Sequence, residues 1–374
     1  MTNRKLLLTA IGLVASAALV GACQSSATQA VPASEQDLEA VETAKDRVAA
    51  ATSPLVASLP TTSPPLAQDK FVVVIPCDQS QPGCTQPALG ALEAAEAAGW
   101  RAQMIDGKGT GDQQNAAIRQ AIALNPDGII TFAIDPATVQ GSLQEAHRHG
   151  IALVAAASSP SEVLSASAGP TLETYTETGS LLADFAIAQT NGAVRALVLH
   201  DTGFDVLQPR HQGFVDRLAE CSSCSILEEQ AFTSSDLANA VPRLTQQMAQ
   251  RNPDFNVVYV DYDDAVPPLL QGLRSVGADD IIVLGSNGTT AATACIRSGC
   301  GQHATTAFSL DGIGWASIDS MNRVFANEQP AEPAYGIGVK LIDAEVAATV
   351  ADMWDGDTDY RSAYQELWTS ASTN

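Results

Sequence analysis

The feature that most constrains the fold is a regular alternation of short apolar runs with longer stretches of helical spacing, which extends from Phe71 to Phe325. Continuous apolar strands that alternate with crossover helices are typical of parallel sheets covered by helices on both faces. The runs predicted to be strands are Phe71–Ile75, Ala102–Ile105, Gly128–Phe132, Ala152–Ala156, Ala193–Leu199, Ile226–Gln230, Val257–Val260, Ile281–Leu284 and Thr306–Leu310. They are too many for one small sheet, so we predict an α/β protein with more than one sheet.

Residues 1–22 have the features of a bacterial export signal. Two basic residues precede an apolar core over residues 6–20, which is too short to span a bilayer, and the small residues Val-Gly-Ala precede Cys23. This ending resembles the lipobox of bacterial lipoproteins, in which the cysteine carries the lipid. An ordinary cleaved signal with an incidental cysteine is the alternative. We expect Cys23 to be a lipid anchor that holds the protein outside the cytoplasm on a bacterial membrane.

Six of the seven cysteines fall into pairs that are close along the chain. Because an exported protein meets an oxidising environment, disulfides between near neighbours are the simplest role for them. The spacing of Cys221 and Cys224 also occurs in redox and zinc motifs, but no second such pair and no suitably spaced His accompany it. The predicted disulfides are Cys77 with Cys84, Cys221 with Cys224, and Cys295 with Cys300.

Residues 23–69 differ in composition from the rest of the chain, being rich in Ser, Thr, Ala and Pro. Such a segment is typical of a tether that holds a folded body away from a membrane. Within it, residues 34–51 have helical spacing, with Ser34 or Asp37 as candidate caps. We therefore predict a tether that contains one helix.

The charge balance excludes one class of partner. The chain carries 42 Asp and Glu against 19 Lys and Arg, a net charge of −23. A surface of this sign repels the phosphate backbone, so we expect no nucleic-acid partner.

A search for catalytic and metal-binding motifs finds none that is complete. The sequence has no GxSxG, GxxxxGK[ST] or HExxH pattern, and residues 107–112, GKGTGD, match a dinucleotide fingerprint only loosely. His147 and His149 are two residues apart at the end of a predicted helix, so they face different directions. We expect no enzymatic activity, no cofactor and no metal.

Polar residues follow nearly every predicted strand, as in Asp106-Gly107, Asp135-Pro136 and Asp261-Tyr262. In open parallel sheets, ligands bind in the crevice beyond the carboxyl ends of the strands. Polar βα loops are common anywhere, but their number here favours a ligand site at this edge. The predicted disulfide between Cys77 and Cys84 would then fix the shape of a ligand-facing loop.

Several stretches resemble the type I periplasmic-binding-protein family, which includes ribose-like sugar receptors and the ligand-binding cores of LacI-type repressors. They are IPCDQSQPGCTQ, GWRAQMIDGKGTGDQQNAAIRQAIALNPDGIITFAIDP and AHRHGIALVA within residues 71–156, GSNGT at 285–289, and DGDTDYRSAYQELW at 355–368. The most specific part is the spacing of polar and apolar residues between Asp106 and Ile130. A repressor is excluded by the export signal and by the missing basic surface.

The resemblance implies two Rossmann-like lobes, with parallel sheets flanked by helices, which are joined by a three-segment hinge and close on a small ligand. We place the N-terminal lobe at residues 70–170 plus 311–334 and the C-terminal lobe at 171–310 plus 335–368. The hinge is expected near Gly169-Pro170, Leu310-Asp311 and Pro333–Gly336.

The candidate ligand-binding residues follow strands or lie at the crossovers between lobes. Ser286-Asn287 stands where sugar-binding members often have Phe-Asp, so an amine, a polyol or a furanone stays open beside a sugar. Aromatic candidates for an apolar face, Tyr262 among them, are equally compatible with the core. The candidates are Asp78, Gln79, Gln86, Phe132, Asp135, Asp201, Phe204, Asp261, Asn287, Asp311 and Trp315.

These expectations together describe a monomeric, lipid-anchored solute-binding protein that captures a small polar ligand, with a sugar favoured, and delivers it to an ABC permease. Its only membrane contact would be the lipid on Cys23. A sensory protein of the same fold that signals to a membrane receptor or kinase is the alternative, and an exported α/β enzyme is the third hypothesis.

Overall fold

The computed structural model describes residues 35–329 and 337–371, which build two sheets within one compact unit. The first sheet is parallel throughout and has the order β2-β1-β3-β4-β5. Its strands are β1 Phe71–Pro76, β2 Arg101–Met104, β3 Gly128–Phe132, β4 Ala152–Ala156 and β5 Ala166–Ala168. Three of these strands have all or nearly all residues buried, as expected for a sheet covered on both faces.

The second sheet has the order β11-β10-β9-β8-β6-β7, and only β11 runs antiparallel to its neighbour. Its strands are β6 Arg195–Asp201, β7 Ser225–Phe232, β8 Val257–Val260, β9 Ile282–Ser286, β10 Ala304–Ala307 and β11 Lys340–Ile342. The two sheets define two lobes, so the prediction of α/β lobes with parallel sheets is confirmed. Strands β5 and β11 were not among the predicted runs.

Helices cover both sheets. They are α1 Glu35–Thr52, α2 Pro82–Ala97, α3 Gly111–Ala123, α4 Gln140–Arg148, α5 Leu172–Thr190, α6 Leu207–Ala219, α7 Leu237–Arg251, α8 Val266–Ser275, α9 Thr290–Ser298, α10 Leu310–Phe325, α11 Ala344–Ala347 and α12 Tyr360–Ala371. Within the described ranges, none of them has the length and apolar character needed to cross a membrane.

Helices α5 and α6 touch through their backbones, which positions part of the site described below. A Cβ added to Gly179 would lie 1.8 Å from the carbonyl oxygen of Arg210, and one added to Gly213 would lie 2.1 Å from that of Thr176. Any larger residue at either position would push the helices apart. Glycine is therefore required here by the close approach of two backbones.

The chain crosses between the lobes where β5 leads into α5 and where β10 leads into α10. The predicted hinge points Gly169-Pro170 and Leu310-Asp311 lie at these two crossings. The third predicted hinge segment, Pro333–Gly336, lies outside the described residues.

The described part of the predicted tether differs from the expectation, because it is packed onto both lobes. Ala40, Val41 and Ala44 of α1 are buried in the core of the second lobe. Arg47 of α1 and Arg217 of α6 each form an ion pair with the fully buried Asp184, both at 2.6 Å. A segment rich in Ala therefore encodes a docked helix here, since small residues allow close helix packing.

Residues 53–69 then run from the second lobe to the first. The backbone N–H of Leu55 donates to Asp357 at 2.7 Å, and that of Ala67 donates to Asn322 of α10 at 2.9 Å. The indole N–H of Trp100 donates to the carbonyl of Ala67 at 2.8 Å. This segment is a further connection between the lobes and is fixed at both ends.

The C-terminal helix also differs from the expected lobe boundaries. The prediction places residues 335–368 in the second lobe, but α12 packs on α10 in the core of the first. The rings of Trp315 and Trp368 stack with centroids 5.6 Å apart, and the Trp368 indole donates to Asp319 at 2.9 Å. The aromatic side chains of α12 therefore complete the first lobe.

All three local cysteine pairs lie close enough to form disulfides. The Cα atoms are 5.5 Å apart for Cys77 and Cys84, 5.3 Å for Cys221 and Cys224, and 4.9 Å for Cys295 and Cys300. These separations lie within the range of natural disulfides. Cys23 and the export signal lie outside the described residues.

Candidate ligand site between the lobes

A cavity of about 50 Å³ lies between the lobes at the carboxyl ends of both sheets. Ligand pockets usually enclose roughly 300–1,000 Å³, so the lobes stand close together in this structure. On the first lobe, the wall is built from the loop after β1, the start of α2 and the ends of β3 and β4. The residues that it contributes are Gln81, Gly83, Cys84, Pro87, Ala133 and Ala157.

The second lobe contributes the charged and most of the aromatic groups. Its lining residues come from α5, the loop after β6, α6, and the loops after β8 and β9. They are Tyr175, Phe204, Val206, Leu207, Arg210, Tyr262, Asp264 and Asn287. Phe308, Leu310 and Ile313 close the cavity on the hinge side.

Arg210 is the most unusual of these residues because it is 1% exposed and has no carboxylate partner within the described ranges. Its Nε donates to the hydroxyl of Thr178 at 3.1 Å, and its Nη1 donates to the carbonyl of Asp261 at 2.7 Å. The remaining nitrogen, Nη2, is buried and has no hydrogen-bond partner there. A buried donor of this kind is costly, so the arrangement calls for an acceptor from outside the protein.

Asp264 lines the same cavity, is half-buried, and has a carboxylate with no hydrogen-bond partner among the described residues. Burial raises the pKa of its carboxyl to about 6, because burial disfavours the charged form. Together with Arg210 it offers a ligand one strong donor and one strong acceptor.

Three strand ends at the cavity have an uncommon backbone conformation. Ala133 follows β3, Ala157 follows β4 and Asn287 follows β9, with φ of 53°, 53° and 102°. Left-handed conformations cost non-glycine residues on the order of 1 kcal/mol or more and concentrate at ligand sites. Three cavity-lining residues therefore carry backbone strain.

Direct contacts hold the two walls together. The N–H of Ser159 on the first lobe donates to Asp205 on the second at 2.7 Å. Phe204 packs against the apolar cores of both lobes. A Cβ added to Gly83 would lie 2.8 Å from Nδ2 of Asn287, so these residues also meet across the cleft. The lobes are closed on one another.

A buried cluster of His200, His211 and Asp261 lies behind the second wall, with side-chain ligand atoms within 4.8 Å of one another. The two imidazole rings stack with centroids 4.2 Å apart and planes 22° apart, so their in-plane lone pairs do not converge on one point. His200 Nδ1 is bonded to Asp261 at 2.8 Å. Burial would lower the pKa of His200, but the hydrogen bond and charge of Asp261 raise it overall. The cluster fixes Asp261, whose carbonyl in turn holds Arg210.

Two of the predicted ligand-binding residues, Phe204 and Asn287, line the cavity. The carboxylates placed after strands instead bond to their own surroundings. Asp78 accepts from the N–H of Ser80, and Asp135 from that of Ala137, both at 2.8 Å. Gln79 lies on the same loop as Asp78, and its N–H donates to Asp106.

The remaining predicted residues lie in the protein interior or at another surface. Asp201 is fully buried and accepts from the hydroxyl of Tyr262 at 2.6 Å, and Asp261 is fully buried in the histidine cluster. Gln86 donates to Asp311, which also pairs with Arg361. Phe132 and Trp315 are in the core of the first lobe. None of these residues lines the cavity as described.

The sequence reasoning missed Arg210 and Asp264. Arg210 lies in the first turn of α6, directly after the polar loop that follows β6, and Asp264 follows β8 by four residues. Both were within the strand-end pattern, but a lone arginine on a helix resembles a surface cation until the fold buries it.

Two lobes that enclose a cavity at the carboxyl ends of their parallel strands define a two-lobed binding protein that closes on a solute. The sequence profile of the periplasmic binding protein domain matches residues 71–329. The chain belongs to this family, of the type I fold, whose members are extracytoplasmic solute-binding proteins and not enzymes. No curated protein sequence matches the chain.

Solved structures share the fold at low sequence identity. An ABC transporter solute-binding protein from Mycobacterium smegmatis with bound glycerol is 21% identical, covers 78% of this chain and all of its own length, and has a TM-score of 0.68. One from Agrobacterium vitis with bound allitol is 13% identical over 75% of this chain and 98% of its own, with a TM-score of 0.67. A Caulobacter myo-inositol binding protein bound to myo-inositol is 18% identical over 77% and 97%, with a TM-score of 0.66.

Proposed function

We propose that this protein is a lipid-anchored receptor that captures a small sugar or polyol between its lobes and delivers it to an ABC permease. The observation that carries the proposal is the unpartnered Nη2 of Arg210, which is buried at the interlobe cavity. Structures of the same fold with glycerol, allitol and myo-inositol support the ligand class. The absence of a charged partner for Arg210 in the described ranges favours a ligand rich in acceptor oxygens.

Binding would follow from closure of the lobes. Hydroxyl oxygens of the ligand would accept from Arg210, and a ligand hydroxyl would donate to Asp264. Closure removes water from these groups. Each group that gains a hydrogen-bond partner contributes to the binding free energy, and each group left without one costs about 1–3 kcal/mol. Because the cavity is small, a sugar requires the lobes to be wider apart than in this structure, and the two crossings supply the rotation.

Anchoring through Cys23 rests on the sequence alone. Substituting Cys23→Ser should move the exported protein from the membrane fraction to the soluble fraction. Retention of the variant in the membrane fraction would argue against a lipid on this residue. We expect the protein to act as a monomer.

A thermal-shift screen against sugars, polyols, amines and amino acids tests the ligand class. A ligand that binds only the folded protein stabilises it by about 2.7 kcal/mol at a hundredfold excess over its dissociation constant. We expect the melting temperature to rise with the logarithm of concentration for one or more sugars or polyols. If only amines or amino acids shift it, the proposed ligand class is wrong.

A further inference from the structure

The two walls of the interlobe cavity differ in chemistry. The charged side chains, Arg210 and Asp264, both belong to the second lobe, which also contributes the amide of Asn287. On the first lobe, Gln81 is the one residue in the described lining whose side chain carries an amide that could donate to or accept from a ligand. The rest of that wall is Gly83, Cys84, Pro87, Ala133 and Ala157.

The polar groups of the second-lobe wall lack hydrogen-bond partners, whereas most side chains of the first-lobe wall cannot form a hydrogen bond with a hydroxyl. Nη2 of Arg210 and the carboxylate of Asp264 have no hydrogen-bond partner in the described part of the chain. Ser158, next to Ala157, also has a buried hydroxyl without a partner there, but it does not line the cavity. The hinge side adds only Phe308, Leu310 and Ile313.

Closure around the solute makes this asymmetry important. A solute enclosed between the two lobes touches both walls at once. A hydroxyl pressed against the side chains of Ala133, Ala157 and Pro87 loses its water and gains no side-chain partner, which is unfavourable. A methyl or methylene at the same place is favourable, because it removes apolar surface from water.

We propose that the solute is a sugar or polyol with one apolar edge, such as a deoxy sugar, whose hydroxyl-rich edge faces the second lobe. The apolar edge lies against Ala133 and Ala157 of the first lobe. This inference rests on the proposed function and narrows its ligand class. An apolar pocket discriminates against an added hydroxyl by about ten- to a hundredfold, which sets the expected preference.

The test measures dissociation constants by calorimetry for matched ligand pairs that differ in one hydroxyl. Suitable probes are 6-deoxyglucose with glucose, L-rhamnose with L-mannose, L-fucose with L-galactose, and 5-deoxyribose with ribose. We expect the deoxy member of at least one pair to bind about ten- to a hundredfold more tightly than its partner. Equal or tighter binding of the fully hydroxylated member in every pair that binds would overturn the inference and leave the proposed function intact.

Variants connect the preference to the wall. Ala157→Ser places a hydroxyl on the apolar wall without changing the backbone requirement at φ 53°. It should reduce or reverse the preference for the deoxy member. Ala155→Ser, two residues earlier in β4 and not at the cavity, is the control and should leave the ratio unchanged. An unchanged ratio in a folded Ala157→Ser variant would contradict the inference. If amines or amino acids bind and no sugar or polyol does, both the proposed function and this inference are wrong.

Discussion

The backbone N–H of Ser159, in the loop after β4 in the first lobe, donates to the carboxylate of Asp205, which follows β6 in the second lobe, at 2.7 Å. The other oxygen of this carboxylate accepts from the N–H of Val206 at 2.9 Å. One side chain therefore joins the start of α6, which carries Arg210, to the opposite wall. This contact ties closure of the lobes to the position of the cavity-lining Arg210.

Removing the contact should open the lobes. We expect Asp205→Ala to increase the radius of gyration of the ligand-free protein in solution scattering. Because the lost hydrogen bond contributes about 1 kcal/mol to the closed form, the ratio of open to closed molecules should rise about fivefold. Asp135→Ala is the matched control, since Asp135 accepts from the N–H of Ala137 within the first lobe only. Identical scattering from the two variants would show that Asp205 does not hold the lobes.

Relief of backbone strain should be measurable at the end of β3. Ala133 has a φ of 53° and is only partly buried, so Ala133→Gly removes strain and loses little packing. We expect the free energy of unfolding to rise by about 0.5–1 kcal/mol in urea denaturation. Ala155 in β4 is the control, because it is buried and does not have a positive φ. Ala155→Gly should lower the free energy of unfolding by about 1 kcal/mol. An equal loss of unfolding free energy in both variants would show that the backbone at Ala133 is not strained.

Asp264 should make stability depend on pH. Burial raises the pKa of its carboxyl to about 6, so the folded protein holds this proton more tightly than the unfolded chain, whose carboxyl titrates near 3.9. Tighter binding of this proton stabilises the folded protein. This stabilisation is fully present below about pH 4 and is lost as the pH rises through 6. We expect the free energy of unfolding of Asp264→Asn to exceed that of the wild type by about 1–3 kcal/mol at pH 8 and to equal it at pH 4.

The measurement for Asp264 is the free energy of unfolding across this pH range without ligand. Asp279→Asn, at an exposed position, is the control and should follow the wild type throughout. A constant difference between Asp264→Asn and the wild type from pH 4 to 8 would show that the carboxyl does not titrate in this window.

Docking of α1 should contribute to stability through the buried Asp184. Removing Arg47 leaves this carboxylate with Arg217 alone, and an uncompensated share of buried charge is destabilising. We expect Arg47→Met to lower the free energy of unfolding by about 1–3 kcal/mol. This is less than the cost of breaking a fully buried ion pair, because Arg47 is 36% exposed. Arg119→Met, which breaks an exposed pair with Glu145 at 3.9 Å, should cost less than about 0.5 kcal/mol. A variant at Arg47 as stable as the one at Arg119 would indicate that α1 is not docked in solution.

The sequence predicted the sheets well because fully buried strands such as β1, β3 and β8 leave continuous apolar runs. Strands β5 and β11 have three residues each, too few for such a run, and β11 pairs antiparallel at an edge. The docking of α1 and α12 depends on tertiary contacts, such as that between Trp315 and Trp368, which no local pattern encodes.

The location of the site was predictable, but most of its residues were not. Loops after parallel strands meet at one edge, so Phe204 and Asn287 follow from topology. The carboxylates of Asp78 and Asp135 also lie at strand ends, yet they bond to amides of their own turns. A sequence cannot show whether a turn uses its own carboxylate or leaves it for a ligand. Arg210 lines the cavity as a buried side chain only because of the packing of α5 and α6.

The most direct test of interlobe capture is the dissociation constant of the best-binding sugar or polyol for Arg210→Lys and Arg217→Lys. Both arginines lie on α6 and are buried, but Arg210 lines the cavity whereas Arg217 pairs with Asp184. Lysine keeps the charge and loses the forked donor geometry. We expect about ten- to a hundredfold weaker binding for Arg210→Lys and an unchanged dissociation constant for Arg217→Lys. Wild-type affinity in a folded Arg210→Lys variant would contradict interlobe capture.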